Sequence, residues 1–177
     1  MFRRFAHAFI IFLLIASACY PASGALPRMY EAQSGRDALI AAKASGKPVM
    51  VYFWQPGCGW CAVVENLLAT SDFRFALVQH YHFIDVNTTL SGPVVDGLKK
   101  VFKVKGTPAF AFLSPKAEPI CMVYGNIKDD AELSRIDANV LSLARGGTAR
   151  TMTSAGFPSC RGEVTEDDSK VTVAKEQ

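Results

Sequence analysis

Apolar and polar positions along this chain fall into blocks whose period changes from one block to the next. Val49-Met-Val-Tyr-Phe-Trp54 is an unbroken β-branched and aromatic run, the pattern of a strand buried on both faces. Ahead of it, Ser34 to Ser45 reads as a short helix, with Ser34 as its cap and Gly46 with Pro48 as its stop. Behind it, Cys58 to Ala69 places Val63, Val64, Leu67 and Leu68 in a helical stripe, and Asp72 to Gln79 continues it after a break. Tyr81 to Val86 predicts a second strand and Val94 to Val104 another helix. Ala109–Leu113 and Ile120–Tyr124 predict two strands that the Ser114–Pro119 turn folds into an antiparallel hairpin. Asp129-Asp-Ala-Glu132 has the form of a capping box, and Leu133, Ile136, Val140 and Leu143 share one face of the helix it opens. This order implies an α/β fold: a mixed central sheet with helices on both faces, ending in an antiparallel hairpin plus helix.

The two ends read differently. Arg3 and Arg4 precede an apolar run from Ala8 to Ala16 and then small residues, the order of a secretory signal. The run is well short of the roughly 20 apolar residues a spanning helix needs. Cleavage at Ala16-Ser17-Ala18, or near Ala22–Ala25, releases a soluble protein. The other reading makes Cys19 the lipid-bearing residue of a lipoprotein box, although Ala16 stands where a larger aliphatic residue is usual. Both readings place the mature protein outside the cytoplasm, in a periplasmic setting where thiols can oxidise. After Gly146-Gly147 the chain is polar and aperiodic, as expected of a mobile tail. The expected division is a signal at residues 1–25, a domain at 26–145 and a flexible tail at 146–177.

Composition narrows the function. The 177 residues are 50% hydrophobic and 20% charged, enough for one cored domain and too few for two. A net charge of +3 is too weak for a concentrated phosphate-binding face, so no nucleic-acid partner is expected. Five cysteines are too few for a disulfide-dense scaffold and are read one by one.

Cys58-Gly59-Trp60-Cys61 carries the chemistry. The first cysteine falls at the start of a helix, where unpaired N–H groups and the helix dipole stabilise a thiolate. Its pKa should therefore lie below the free value of about 8.5. Cys61 follows about one turn later, within reach to close or resolve a disulfide. Pro56 fixes the approach, and Gly57 and Gly59 leave the first sulfur open to another protein's disulfide. Two close cysteines are also half of a zinc site. Structural zinc takes four ligands, usually in two pairs, and neither Cys121 nor Cys160 has a close partner in sequence. His80 and His82 share a side only if the strand already begins at His80, and otherwise belong to a strand edge. No metal and no cofactor is expected.

With these pieces in order, the chain resembles the thioredoxin superfamily over about Arg36 to Arg145. The matching residues are the Val49–Trp54 strand, Cys58-Gly59-Trp60-Cys61, Thr107-Pro108 before a strand, and Gly125 after the next. Ala38-Leu39, Ala42-Lys43 and Gly46-Lys47-Pro48-Val49 look most like the C-terminal thioredoxin-like domain of periplasmic thiol:disulfide interchange proteins. The resemblance implies a thioredoxin-like fold, a redox-active Cys58–Cys61 disulfide and a cis Pro108 facing it. It also implies a substrate groove where Thr107 pairs with an extended peptide and Trp60 offers an apolar contact.

Several positions depart from the family. Tyr52 occupies the place, six residues before the first cysteine, where many thioredoxins carry a buried Asp. Glu65, a turn beyond Cys61, either substitutes for it or faces solvent, and the solvent-facing reading is preferred. Gly57 replaces the usual Trp, and Trp60 brings no positive charge to the thiolate. Cys121, near the hairpin turn and away from the active pair, is either a small buried residue or a bridge to Cys160. The implied function is thiol:disulfide exchange with protein substrates. The resemblance favours a reductase fed by a membrane thiol donor over an oxidase or isomerase, and a non-catalytic binding or metal-handling module is the third reading.

Overall fold

A computed structural model describes residues 26–149 and 151–162. The expected secretory segment and Cys19 lie outside the described residues. Nine elements form the frame: α1 (Gly35–Ser45), β1 (Val49–Trp54), α2 (Gly59–Thr70), α3 (Arg74–His80), β2 (His82–Asn87), α4 (Pro93–Val101), β3 (Ala109–Leu113), β4 (Pro119–Tyr124) and α5 (Asp130–Ala144). The four strands make one mixed sheet in the order β2-β1-β3-β4. β1 runs parallel to β2, with Tyr52 opposite Asp85, and antiparallel to β3, which pairs antiparallel with β4. β1 is therefore interior, and its apolar run is buried along its length except at Trp54.

Strand alternation sorts the core into two layers. On one face Val49, Val51, Phe53, Ile84, Val86, Ala109 and Ala111 pack against Ala38 and Ala42 of α1 and against Phe102. On the other, Met50, Tyr52, Phe83, Phe110 and Phe112 pack against Cys61, Val64 and Leu68 of α2, Leu77 of α3, and Leu133, Ile136 and Val140 of α5. Helices cover both faces, which is the fold class the blocks of the sequence imply.

Local chemistry sets the boundaries. Ser34 accepts from Asp37 N, and Gly46 closes α1 at φ 74°, a left-handed conformation that costs glycine little. Ser71 separates α2 from α3: its own N–H closes α2 on Leu67 O while its hydroxyl accepts from Phe73 N. α4 starts at Pro93, in the first turn where a missing N–H is harmless, and ends sooner than its apolar pattern predicts because Lys103 turns left-handed at φ 49°. Asp129 caps α5 by accepting from Glu132 N, and Glu132 returns a carboxylate to Lys128 N.

The expectation of a mobile tail from Gly146 fails for residues 151–162. Met122 N donates to Pro158 O and Cys160 N to Met122 O, so the segment adds a parallel bridge to the edge of β4. Cys121 and Cys160, both fully buried, form a disulfide. Arg161 donates to the carbonyls of Tyr124 and Asn126 and to Glu132, while Asn139 donates to Cys160 O. A disulfide, a guanidinium, an amide and a short backbone bridge together anchor a segment that carries almost no apolar signal.

The disulfide spans 39 positions, so loss of its loop-closure constraint should cost about 3–4 kcal/mol. The Cys121→Ala/Cys160→Ala double variant is expected to unfold at a correspondingly lower urea midpoint. An unchanged midpoint would show that the strap contributes nothing.

Candidate active site

The site begins at the exposed end of β1, where Gln55-Pro56-Gly57-Cys58 turns the chain into α2. Cys58 N donates to Gln55 O at 3.3 Å, with Pro56 and then Gly57 at φ 75° between them. Proline followed by a left-handed glycine is the order of a type II turn. Gly57 is needed for that backbone angle; an added Cβ at Gly57 or Gly59 meets no atom within 4 Å.

Cys58 is the N-cap of α2. Its backbone is extended and its Sγ accepts from Cys61 N at 3.1 Å, while its carbonyl receives the N–H groups of Cys61 and Ala62. The first turn of α2 contains no acidic residue, so the helix dipole at Cys58 is not offset there. Cys58 and Cys61 are joined at an S–S distance of 2.09 Å with Cα atoms 5.2 Å apart. Cys58 is half-buried and Cys61 only 1% exposed, which leaves the first sulfur as the reachable one.

Thr107 and Pro108 stand against the pair. Their peptide bond is cis, and the Thr107 hydroxyl lies 3.5 Å from Cys58 Sγ as a donor. Pro108 is buried, and its carbonyl accepts from Gly125 N at 2.9 Å, which ties the loop to the end of β4. Thr107's own N–H and C=O make no backbone hydrogen bond among the described residues. Trp60 is 63% exposed at the first turn of α2. The structure thus brings Cys58, Cys61 and Thr107 together, with Pro108 behind and Trp60 on the rim.

A polar group lies beneath α2 on the same sheet face. Tyr52 donates to Glu65 Oε1 at 2.9 Å, so Glu65 is turned toward β1 rather than into solvent as preferred above. Burial, then the charges of Glu65 and Asp85, push the Tyr52 hydroxyl well above its ordinary pKa and keep it a donor. Asp85 accepts from the Trp54 indole and from Leu26 N. Burial raises its carboxyl above the usual carboxylate range, and those two hydrogen bonds oppose the shift. Asp85 was not singled out in the sequence, although an Asp inside the strand His82-Phe-Ile-Asp85-Val-Asn is a residue strands disfavour.

The histidines serve elsewhere. His80 ends α3 and meets Asp137, whereas His82 starts β2 and meets Ser45 Oγ at 2.8 Å. The strand begins too late to place both on one side.

These features, with the fold, define a thioredoxin-like protein. Residues 35–138 match the thioredoxin-like domain family, and the chain belongs to it. Over 78 residues it is 31% identical to a thiol:disulfide interchange protein, DsbD 1, of Pseudomonas aeruginosa. That match covers 44% of this chain and only 13% of the relative's length. A thioredoxin from Thermus thermophilus superposes with a TM-score of 0.53 at 28% identity, over 60% of this chain and 83% of the other. A DsbH oxidoreductase superposes equally, at 0.53, with 22% identity over 71% of this chain and 91% of that one; this likeness shows the fold alone.

Because Asp85 has a raised folded pKa, it binds its proton more tightly folded than unfolded. Its stabilising contribution is complete below the unfolded value of about 3.9 and is lost as pH rises through the folded value. The stability of the wild type relative to Asp85→Asn should therefore fall as pH rises above about 3.9 in urea titrations. A difference independent of pH would contradict the buried-carboxyl assignment.

Proposed function

We propose that this protein is an extracytoplasmic thiol:disulfide oxidoreductase that works as a protein-disulfide reductase through Cys58 and Cys61. The observation that carries this reading is the half-buried Cys58 sulfur at the N-terminus of α2, bonded to Cys61 and faced by Thr107. In the reduced protein the Cys58 thiolate attacks one sulfur of a target disulfide and releases the other as a thiolate, which takes up a proton. A mixed disulfide joins Cys58 to the target. Cys61 then loses its proton, with Glu65 one turn further along α2 as the acceptor, and attacks Cys58. The target leaves with its second thiol, having gained two electrons and two protons, and the Cys58–Cys61 disulfide remains. A thiol donor, membrane-bound in this reading, returns those electrons.

The unpaired backbone groups of Thr107 suit an extended target peptide, and exposed Trp60 offers it an apolar surface. Pro108 shapes the floor of that groove. No cofactor beyond these thiols is required. The secretory pattern around Arg3, Arg4 and the Ala8–Ala16 run supports a periplasmic location, with release or lipid attachment at Cys19 as its two forms. The buried Cys121–Cys160 disulfide suits the same oxidising compartment.

Insulin reduction with a dithiol donor tests the assignment. Cys58→Ser should abolish it, and Cys61→Ser should accumulate a mixed disulfide through Cys58. Wild-type activity in Cys58→Ser would overturn the reading. A reduction potential near about −270 mV supports a reductase, whereas one near about −120 mV makes the protein an oxidant instead.

A further inference from the structure

We propose that a basic recess beside Thr107 recognises an acidic side chain of the partner peptide, close in sequence to the cysteine that reacts with Cys58. This inference rests on the redox reading above and adds the charge of its preferred partner. The recess has a volume of about 220 Å³ and is lined by Gln55, Thr88, Lys99, Lys105, Gly106 and Thr107, among others. At about 30 Å³ per water, it has room for a single side chain with its water rather than for a bulky cofactor. It shares Thr107 with the disulfide, because that residue's hydroxyl reaches Cys58 Sγ.

The charge of the recess has one sign. Lys99-Lys100-Val-Phe-Lys103-Val-Lys105 carries four lysines and no acid. Two of them have structural uses: Lys99 Nζ donates to Thr88 O at 3.1 Å and Lys103 Nζ to Ala155 O at 3.2 Å. An ammonium has three protons, so Lys99 keeps donors to spare. Lys105 is exposed and makes no hydrogen bond or ion pair among the described residues. The carboxylates on the flanking elements are turned elsewhere: Asp96 accepts from Gly92 N at the start of α4, and Asp85 accepts from Trp54 and Leu26. Among the described residues no carboxylate lines the recess.

An extended peptide pairing with Thr107 sends successive side chains to opposite sides. One of them, within about two residues of the reacting cysteine, faces Lys99 and Lys105. A Glu or Asp there meets two ammonium groups beside a fixed hydroxyl, while a Lys meets like charge. Rim charge pairs of this kind select partners more than they tighten binding.

The test uses the full chain and two peptide disulfides of one length, with Glu or Lys two residues from the cysteine. At low salt the Glu peptide should show about fivefold lower KM with a similar kcat, and the gap should close near about 0.5 M salt. Lys105→Glu should reverse the order of the two KM values, whereas Lys116→Glu, in the distant hairpin turn, should preserve it. Equal KM values for both peptides, or an order unmoved by Lys105→Glu, would overturn the inference while leaving the redox reading intact. Failure to reduce either peptide would instead overturn the redox reading, and this inference with it.

Discussion

The donation from Cys61 N to Cys58 Sγ is short-range, yet it depends on the whole sheet. A sulfur can cap α2 only if the strand before it ends at a fixed point and the chain turns within a few residues. β1 supplies the fixed point, because pairing with β2 and β3 on either side leaves its register no freedom. Pro56 and left-handed Gly57 supply the turn. Burial of Val64 and Leu68 then holds α2 against the sheet, so that its N-terminus presents Cys58 at the surface and keeps Cys61 inside. The two cysteines differ in exposure for this geometric reason, and in the proposed reaction that difference divides attack from resolution.

The opposite wall of the site is held from further away. Pro108 is tied to Gly125 at the end of β4, and the carbonyls on either side of Gly125 are gripped by Arg161. Arg161 lies in the strap that Cys121–Cys160 fastens to β4. A segment beyond the matched family region thus supports the loop facing the redox pair. The face beneath α2 adds two hydrogen-bonded pairs, Tyr52 with Glu65 and Trp54 with Asp85, where many thioredoxins carry one buried acid.

Much of this was legible in the sequence. The unbroken apolar run of β1 announced an interior strand, and the Ser114–Pro119 turn between two apolar runs announced the hairpin. The Cys58–Cys61 spacing and Thr107-Pro108, about fifty residues apart in sequence, marked the candidate site, where Thr107 meets Cys58. The strap was hidden because residues 151–162 are held by a disulfide, an arginine, an isolated bridge to β4 and the single aromatic Phe157, none of which has a periodicity. Glu65 was misread since a helical carboxylate carries no sign of direction, and the Tyr52 hydroxyl it accepts from lies across the layer, thirteen positions away. Asp85 was overlooked because its partners, Trp54 and Leu26, are distant in sequence. The position of α4's end was lost to Lys103, whose left-handed backbone no hydrophobic pattern encodes.

At the centre of the account is an ionised, reachable Cys58 whose partner thiol is shielded one turn behind. Alkylation of the reduced protein with iodoacetamide across pH, with the modified cysteine located by peptide mapping, tests this most directly. The account predicts modification at Cys58 in preference to Cys61, with a midpoint well below the free thiol's value of about 8.5. A midpoint at that ordinary value, or equal modification of Cys61, would contradict it.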